Sequence, residues 1–125
     1  MALDLFQVAT TEMFLLLFLS DGDAHGYQLA QMLEEWSGGM FTVKAASLYP
    51  ILYKLEANGY ITSYEGYVER KSTLRPGRSA RVRVVYHLEA AGAERLKALH
   101  AEHELLVKGS AAIFAYKNGG DGCEE

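Results

Sequence analysis

A chain of 125 residues has room for one domain of ordinary size. It is 50% hydrophobic and 22% charged, a composition that excludes intrinsic disorder, and its one cysteine, Cys123, excludes an internal disulfide. The formal net charge of −4 speaks against a polyanionic partner only until it is divided along the chain: residues 1–69 carry −7, residues 70–83 carry +6 and residues 84–125 carry −3.

The middle segment holds Arg70, Lys71, Arg75, Arg78, Arg81 and Arg83 and no acid, so half of all basic side chains fall within 14 positions. Such a stripe on an acidic body is the electrostatic footprint of a phosphate-bearing partner; from charge alone, a solvated loop that favours solubility is the alternative. The longest apolar run, Met13–Leu19, has 7 residues, against about 20 for a membrane span. Asp4 and Glu12 stand where a secretion signal needs positive charge, and Ser20–Asp21–Gly22–Asp23 follows the run in place of a small-residue cleavage site. The chain reads as a soluble cytoplasmic protein without a membrane partner.

In chain order, Phe6, Ala9, Met13, Leu16 and Leu17 recur at helical spacing and predict a first helix over about 5–20. Asp21–Gly22–Asp23 breaks it and offers carboxylates to start a second helix at about 24–36, with Leu29, Met32, Leu33 and Trp36 on one face and Ser37–Gly38–Gly39 at its end. A third helix over about 46–58 turns Leu48, Ile51, Leu52 and Leu55 inward; Pro50 is expected in its first turn, and Asn58–Gly59 is a left-handed stop. The period then changes to two. Segments 60–69 and 80–88 alternate as strands around the turn Ser72–Ser79. Helical spacing returns over 89–117, and 118–125 is expected to be a disordered tail. The fold class is mainly α with a small β-hairpin wing: a winged helix-turn-helix over 1–88 and a long C-terminal dimerisation helix, with the third helix as the natural reader of a DNA groove.

Three motifs in this order, HGYQL (25–29), LYPILYKLEANGYI (48–61) and YHLEAAG (86–92), resemble the PadR family of bacterial transcriptional regulators over roughly residues 10–115. The resemblance implies a homodimeric repressor of the short-chain subgroup, paired through its single C-terminal helix and released by a small-molecule effector. It also places Tyr49 near the phosphate backbone. Two departures stand out: Glu89 occupies a position where the family usually has Thr, a better N-cap, and the segment between the wing strands is longer than usual.

For double-stranded DNA the candidate contacts are Lys44, Ser47, Tyr49 and Lys54 on the third helix with Arg70, Lys71, Arg78, Arg81 and Arg83 on the wing. A tyrosine hydroxyl can donate to a phosphate oxygen; alternatively Tyr49 fills a groove beside the wing. Tyr27 is expected to pack against the third helix. In the last helix Leu96, Leu99, His103, Leu106, Ser110 and Ile113 form a heptad seam that Phe114 widens, and Phe6, Met13 and Leu17 on the first helix have the same need of a partner. Folding back within one chain is the alternative. His100 and His103 share a face beside Glu104, but two helical ligands lack a third and fourth, so no metal or cofactor is assigned. His100, His103 and Trp36 are instead candidate effector contacts, for a small aromatic compound, although Trp36 is first read as a cap on the core. No nucleophile motif or phosphate loop points to an enzyme. The competing readings are a ligand-binding dimer and a protein-interaction winged helix without a direct DNA role. An inverted-repeat operator follows from a two-fold dimer.

Overall fold

The apolar faces of the first three helices converge on one another in the computed structural model, which describes residues 5–69 and 80–120 and places side chains for 9–66 and 83–119. The elements are α1 (Leu5–Asp21), β1 (Ala24–His25), α2 (Gly26–Trp36), α3 (Ala45–Ala57), β2 (Ile61–Glu69), β3 (Ala80–Leu88) and α4 (Ala90–Ala115), the last continued by a π-helical turn, Tyr116–Gly120. Leu15 and Leu16 of α1, Leu29 of α2, Leu48, Leu52 and Leu55 of α3, and Ile61 and Tyr86 of the sheet are 2% exposed or less. Each such leucine contributes about 1.5–3 kcal/mol by leaving water. Burial also pushes the Tyr86 phenol up to about 12, so it stays neutral in the core. This is a winged helix-turn-helix.

Glycines end α2 and α3 by the same motif. After α3, Tyr60 N–H donates to the Leu55 carbonyl (3.0 Å) and Gly59 N–H to that of Glu56 (3.0 Å), with Gly59 at φ +79°. After α2, Gly39 N–H reaches Glu34 (2.8 Å) and Gly38 N–H reaches Glu35 (3.1 Å). These paired bonds satisfy carbonyls that the helix leaves without partners and need a left-handed residue that glycine adopts at least cost.

The sheet is antiparallel in the order β1–β3–β2. Ala24 lies opposite Tyr86 and His25 opposite Val85, while Ile61 faces Leu88, Tyr64 faces Val85 and Gly66 faces Arg83. Directly opposed residues share a face, so Ile61, Ser63, Ala24, Tyr86 and Leu88 point one way, and His25, Thr62, Tyr64, Arg83 and His87 the other. The first set meets the core.

Three boundaries differ from the sequence reading. Ala24 and His25 form a strand instead of opening α2, because His25 is the N-cap, with φ −95° and ψ 168°; an N-cap is extended, so the chain is still able to pair with β3. Pro50 is the sixth residue of α3, in its second turn instead of its first. It therefore withholds the N–H that would have reached the Ala46 carbonyl. Regular α-helix ends at Ala115, and residues 118–120 belong to the π-helical turn instead of a tail. Residues 121–125, with Cys123, lie outside the described residues, as do the turn 72–79 and Arg70, Lys71 and Arg78. The side chains of Phe6 and Arg81 lie outside those placed.

The wing joins α4 through a close approach. Glu89 N–H donates to the Tyr60 carbonyl at 3.0 Å, and a Cβ on Gly92 would overlap that same oxygen. As its departure from threonine suggests, Glu89 caps α4 without a side-chain bond. Its carboxylate instead accepts from Thr62 Oγ1 at 2.8 Å.

Candidate nucleic-acid interface

The solvent face of α3 is a single stripe. Ala46, Pro50, Tyr53 and Ala57 follow one another at i, i+4, i+7 and i+11, all exposed, with exposed Ser47 and Lys54 along one border. Lys44 sits just ahead as the N-cap, and its side chain makes no capping bond. Lys44, Ser47 and Lys54 are all exposed, the last two along the same border of the stripe.

Tyr49 stands at the edge of that surface, half-buried. Its ring stacks on Tyr53 at 6.2 Å, and its hydroxyl end occupies the space of a side chain on Gly26, where a Cβ would lie 2.9 Å from the oxygen. The missing side chain at Gly26 therefore admits the Tyr49 ring of α3 against α2. Tyr27, expected to pack against α3, is 58% exposed. Its ring carries the Arg83 guanidinium at 5.6 Å, a cation–π contact that restrains an otherwise loose side chain.

The start of α2 is held by an uncommon cap. His25 Nδ1 accepts from Gln28 N–H (3.2 Å), and Gln28 Oε1 accepts from His25 N–H (3.0 Å), a reciprocal capping box. A nitrogen that accepts carries no proton. Burial, and secondarily the charge of Arg83, hold His25 below its ordinary pKa, in agreement with that neutral state.

On the same outward face of the sheet lies a polar network that sequence reasoning missed. Asp23 accepts from the Tyr64 hydroxyl (2.7 Å) and pairs with His87 Nδ1 (2.8 Å), while His87 Nε2 lies 4.0 Å from Glu89. The bonds from Tyr64 and then His87 lower the Asp23 carboxyl, and the bond to Asp23 raises His87. Period-two alternation marks Thr62, Tyr64 and His87 as one face, but nothing in the sequence signals that Asp23 folds over it.

The model of the transcriptional regulator PadR-like family matches residues 15–98. The chain belongs to this family. It is a transcriptional regulator and not an enzyme. No match was found among curated proteins. Among solved structures, this PadR-like regulator is similar to a Streptococcus mutans protein at 28% identity, covering 86% of this chain and 88% of that one with a TM-score of 0.68. It is also similar to a transcriptional regulator from Clostridium thermocellum at 25% identity, covering 82% and 87% with a TM-score of 0.67. The fold recurs in Bacillus subtilis PadR, solved in complex with operator DNA, at 22% identity over 71% of this chain and 46% of that one with a TM-score of 0.56. Among the described residues, no helix of this PadR-like regulator is long and apolar enough to cross a membrane.

Its α4 divides into two halves. The first half packs on α1 within the same chain: Leu99 is 9% exposed and Met13 only 5%, and Leu96 leans on the core. Met13 and Leu99 are thus covered already, which corrects their reading as side chains in need of a partner. The second half has no such cover, with Leu106 at 53%, Ile113 at 70% and Phe114 at 69%; Leu17 on α1 stands at 43%. The physical reason is length, since α4 runs past the body that its first half packs against.

The three effector candidates are not brought together. His103 lines a cavity of about 240 Å³ between α1 and α4, with Met13, Leu99 and Leu106. Trp36 lines a separate one of about 310 Å³ with Phe14, Leu17, Phe18 and Phe41. His100 lines neither of these and lies 3.7 Å from Glu104. Trp36 is 53% exposed and packs on the core through Phe18, the two rings edge-to-face at 5.0 Å.

Proposed function

We propose that this PadR-like regulator is a homodimeric repressor that binds an inverted-repeat DNA operator in the cytoplasm and is released by a small aromatic effector. Residues 1–88 form the DNA-binding unit in this reading and residues 89–117 the dimerisation helix. The observation that carries it is the uncovered face of α3, flanked by Lys44 and Lys54 and next to a wing whose base presents Arg83 restrained over Tyr27. Ser47 faces the major groove, and Tyr49 and Lys54 approach the backbone. Arg70, Lys71, Arg78, Arg81 and Arg83 add phosphate contacts from the wing, which are blind to sequence. The solved complex of Bacillus subtilis PadR with operator DNA supports the reading through the shared fold.

The dimer rests on the apolar second half of α4, which a lone helix would leave in water. Leu106, Ile113 and Phe114 would meet their symmetry mates there, with Leu17 and Phe6 of α1 at the margin. Leu106 also lines the His103 cavity, so a second copy would complete it as the effector site. Two recognition helices related by a two-fold axis then enter successive major grooves about 34 Å apart. A gel-shift titration with the DNA upstream of its own gene tests the reading: a shift that weakens steeply with salt is expected, and no salt-sensitive shift with any fragment would refute it.

A further inference from the structure

The composition of the α3 surface restricts how it can read bases, and we infer that it reads thymine methyl groups. The inference deepens the DNA-binding reading and rests on it. In the major groove, adenine is read by Asn or Gln, cytosine by Asp or Glu, and guanine by Arg or Lys. The exposed stripe of Ala46, Pro50, Tyr53 and Ala57 contains none of these. Glu56 is turned away, accepting from Ser63 Oγ at 2.7 Å, and Asn58 lies beyond the helix as its C-cap. On the exposed α3 surface the amino groups of adenine and cytosine therefore meet only hydroxyl acceptors, those of Ser47 and Tyr53 and, at its edge, Tyr49. Lys44 and Lys54 can reach guanine or phosphate, but only from the margins.

What the centre of the helix offers is apolar surface, and the thymine C5-methyl is the apolar group that the major groove displays. The surface is also stiff. Alanine and proline lose almost no side-chain entropy on contact, and the Tyr53 ring is stacked on Tyr49 at 6.2 Å. Tyr49 is itself set against Gly26, so α2 helps fix the orientation of the apolar stripe. Half-sites should then carry thymines beneath the centre of α3, with guanine confined to the margins.

The test begins with half-sites selected from a random DNA pool. Each thymine is replaced by deoxyuridine, which removes the methyl and nothing else. Removal of a contacted methyl should weaken binding about four-fold, since one buried methyl-sized group is worth about 0.8 kcal/mol. A cytosine–guanine pair at the same position should bind more weakly still, and 5-methylcytosine there should recover part of the loss. The salt dependence should not change, because phosphate contacts are untouched. Unchanged affinity for every deoxyuridine duplex overturns the inference while DNA binding stands. Absence of salt-sensitive binding to any duplex overturns both.

Discussion

Replacing Leu106 with glutamate separates the half of α4 proposed to meet a second copy from the half that completes the chain's own core. Leu106 is 53% exposed in the single chain, whereas Leu99, on the same helix, is 9% exposed. Full burial of a leucine is worth about 1.5–3 kcal/mol. Covering the exposed half of Leu106 then gives about 1 kcal/mol per copy, or about 2 kcal/mol for a two-fold pair. A carboxylate there forfeits that gain and must also lose water beside its symmetry mate, which adds at least about 2 kcal/mol. A combined penalty of about 4 kcal/mol raises the dimer dissociation constant roughly a thousandfold. Sedimentation at micromolar concentration should find Leu106→Glu monomeric, with far-ultraviolet circular dichroism and thermal melting of the monomer fold preserved. Leu99→Ala should do the reverse in kind, removing about 2–5 kcal/mol from the stability of the chain itself. A Leu106→Glu protein as dimeric as the parent would refute the assignment of this surface to a second copy.

Three further expectations address the wing, the junction of α4 with β2 and the α2 cap. Gly92→Ala should lower the melting temperature by an amount corresponding to about 1–3 kcal/mol, because its Cβ meets the Tyr60 carbonyl and not a side chain that can turn aside; an unchanged melt would show that the α4–β2 junction yields. Arg83→Ala in a dimer removes two phosphate contacts and should reduce the slope of log affinity against log salt by about 1.8, so an unchanged slope would leave Arg83 as solvated charge. His25 is held below its ordinary value of 6.5 in the fold, so the unfolded chain takes up the proton first as pH falls. The stability His25 provides is full above about 6.5 and declines as pH falls toward its lower folded value. His25→Asn keeps an N-cap acceptor without a titrating ring, and denaturant midpoints measured from pH 7 to pH 5 should fall less steeply for it than for the parent. Parallel curves would contradict the neutral cap.

The helices and the wing were legible because each rests on local rules. Gly39 and Gly59 ended helices, Leu48, Leu52 and Leu55 marked one face, and alternation separated Arg83 and His87 from the core-facing Tyr86. What escaped were pairings between distant residues. The Arg83 guanidinium over Tyr27 and the close approach of Tyr49 to Gly26, a residue with no side chain, carry no signal in the sequence. Met13 and Leu99 illustrate a different limit. A helical seam shows that a face must be covered but is silent on whether the cover comes from the same chain. Pro50 belongs to the second turn from either start, being the fifth residue counted from Ala46 and the sixth from Ala45.

The short reach of β1 has a consequence for how copies of this protein associate. It pairs with β3 only at Tyr86 and Val85, so toward the tip both long strands run as a two-stranded ribbon among the described residues. Strand edges without neighbours recruit strands from other molecules, and cationic side chains deter that recruitment. The +6 that the sequence carries over residues 70–83 sets molecule against molecule when two copies meet. Exchanging those basic residues for neutral, strand-favouring ones would therefore invite edge-to-edge aggregation as well as weaken any hold on phosphate.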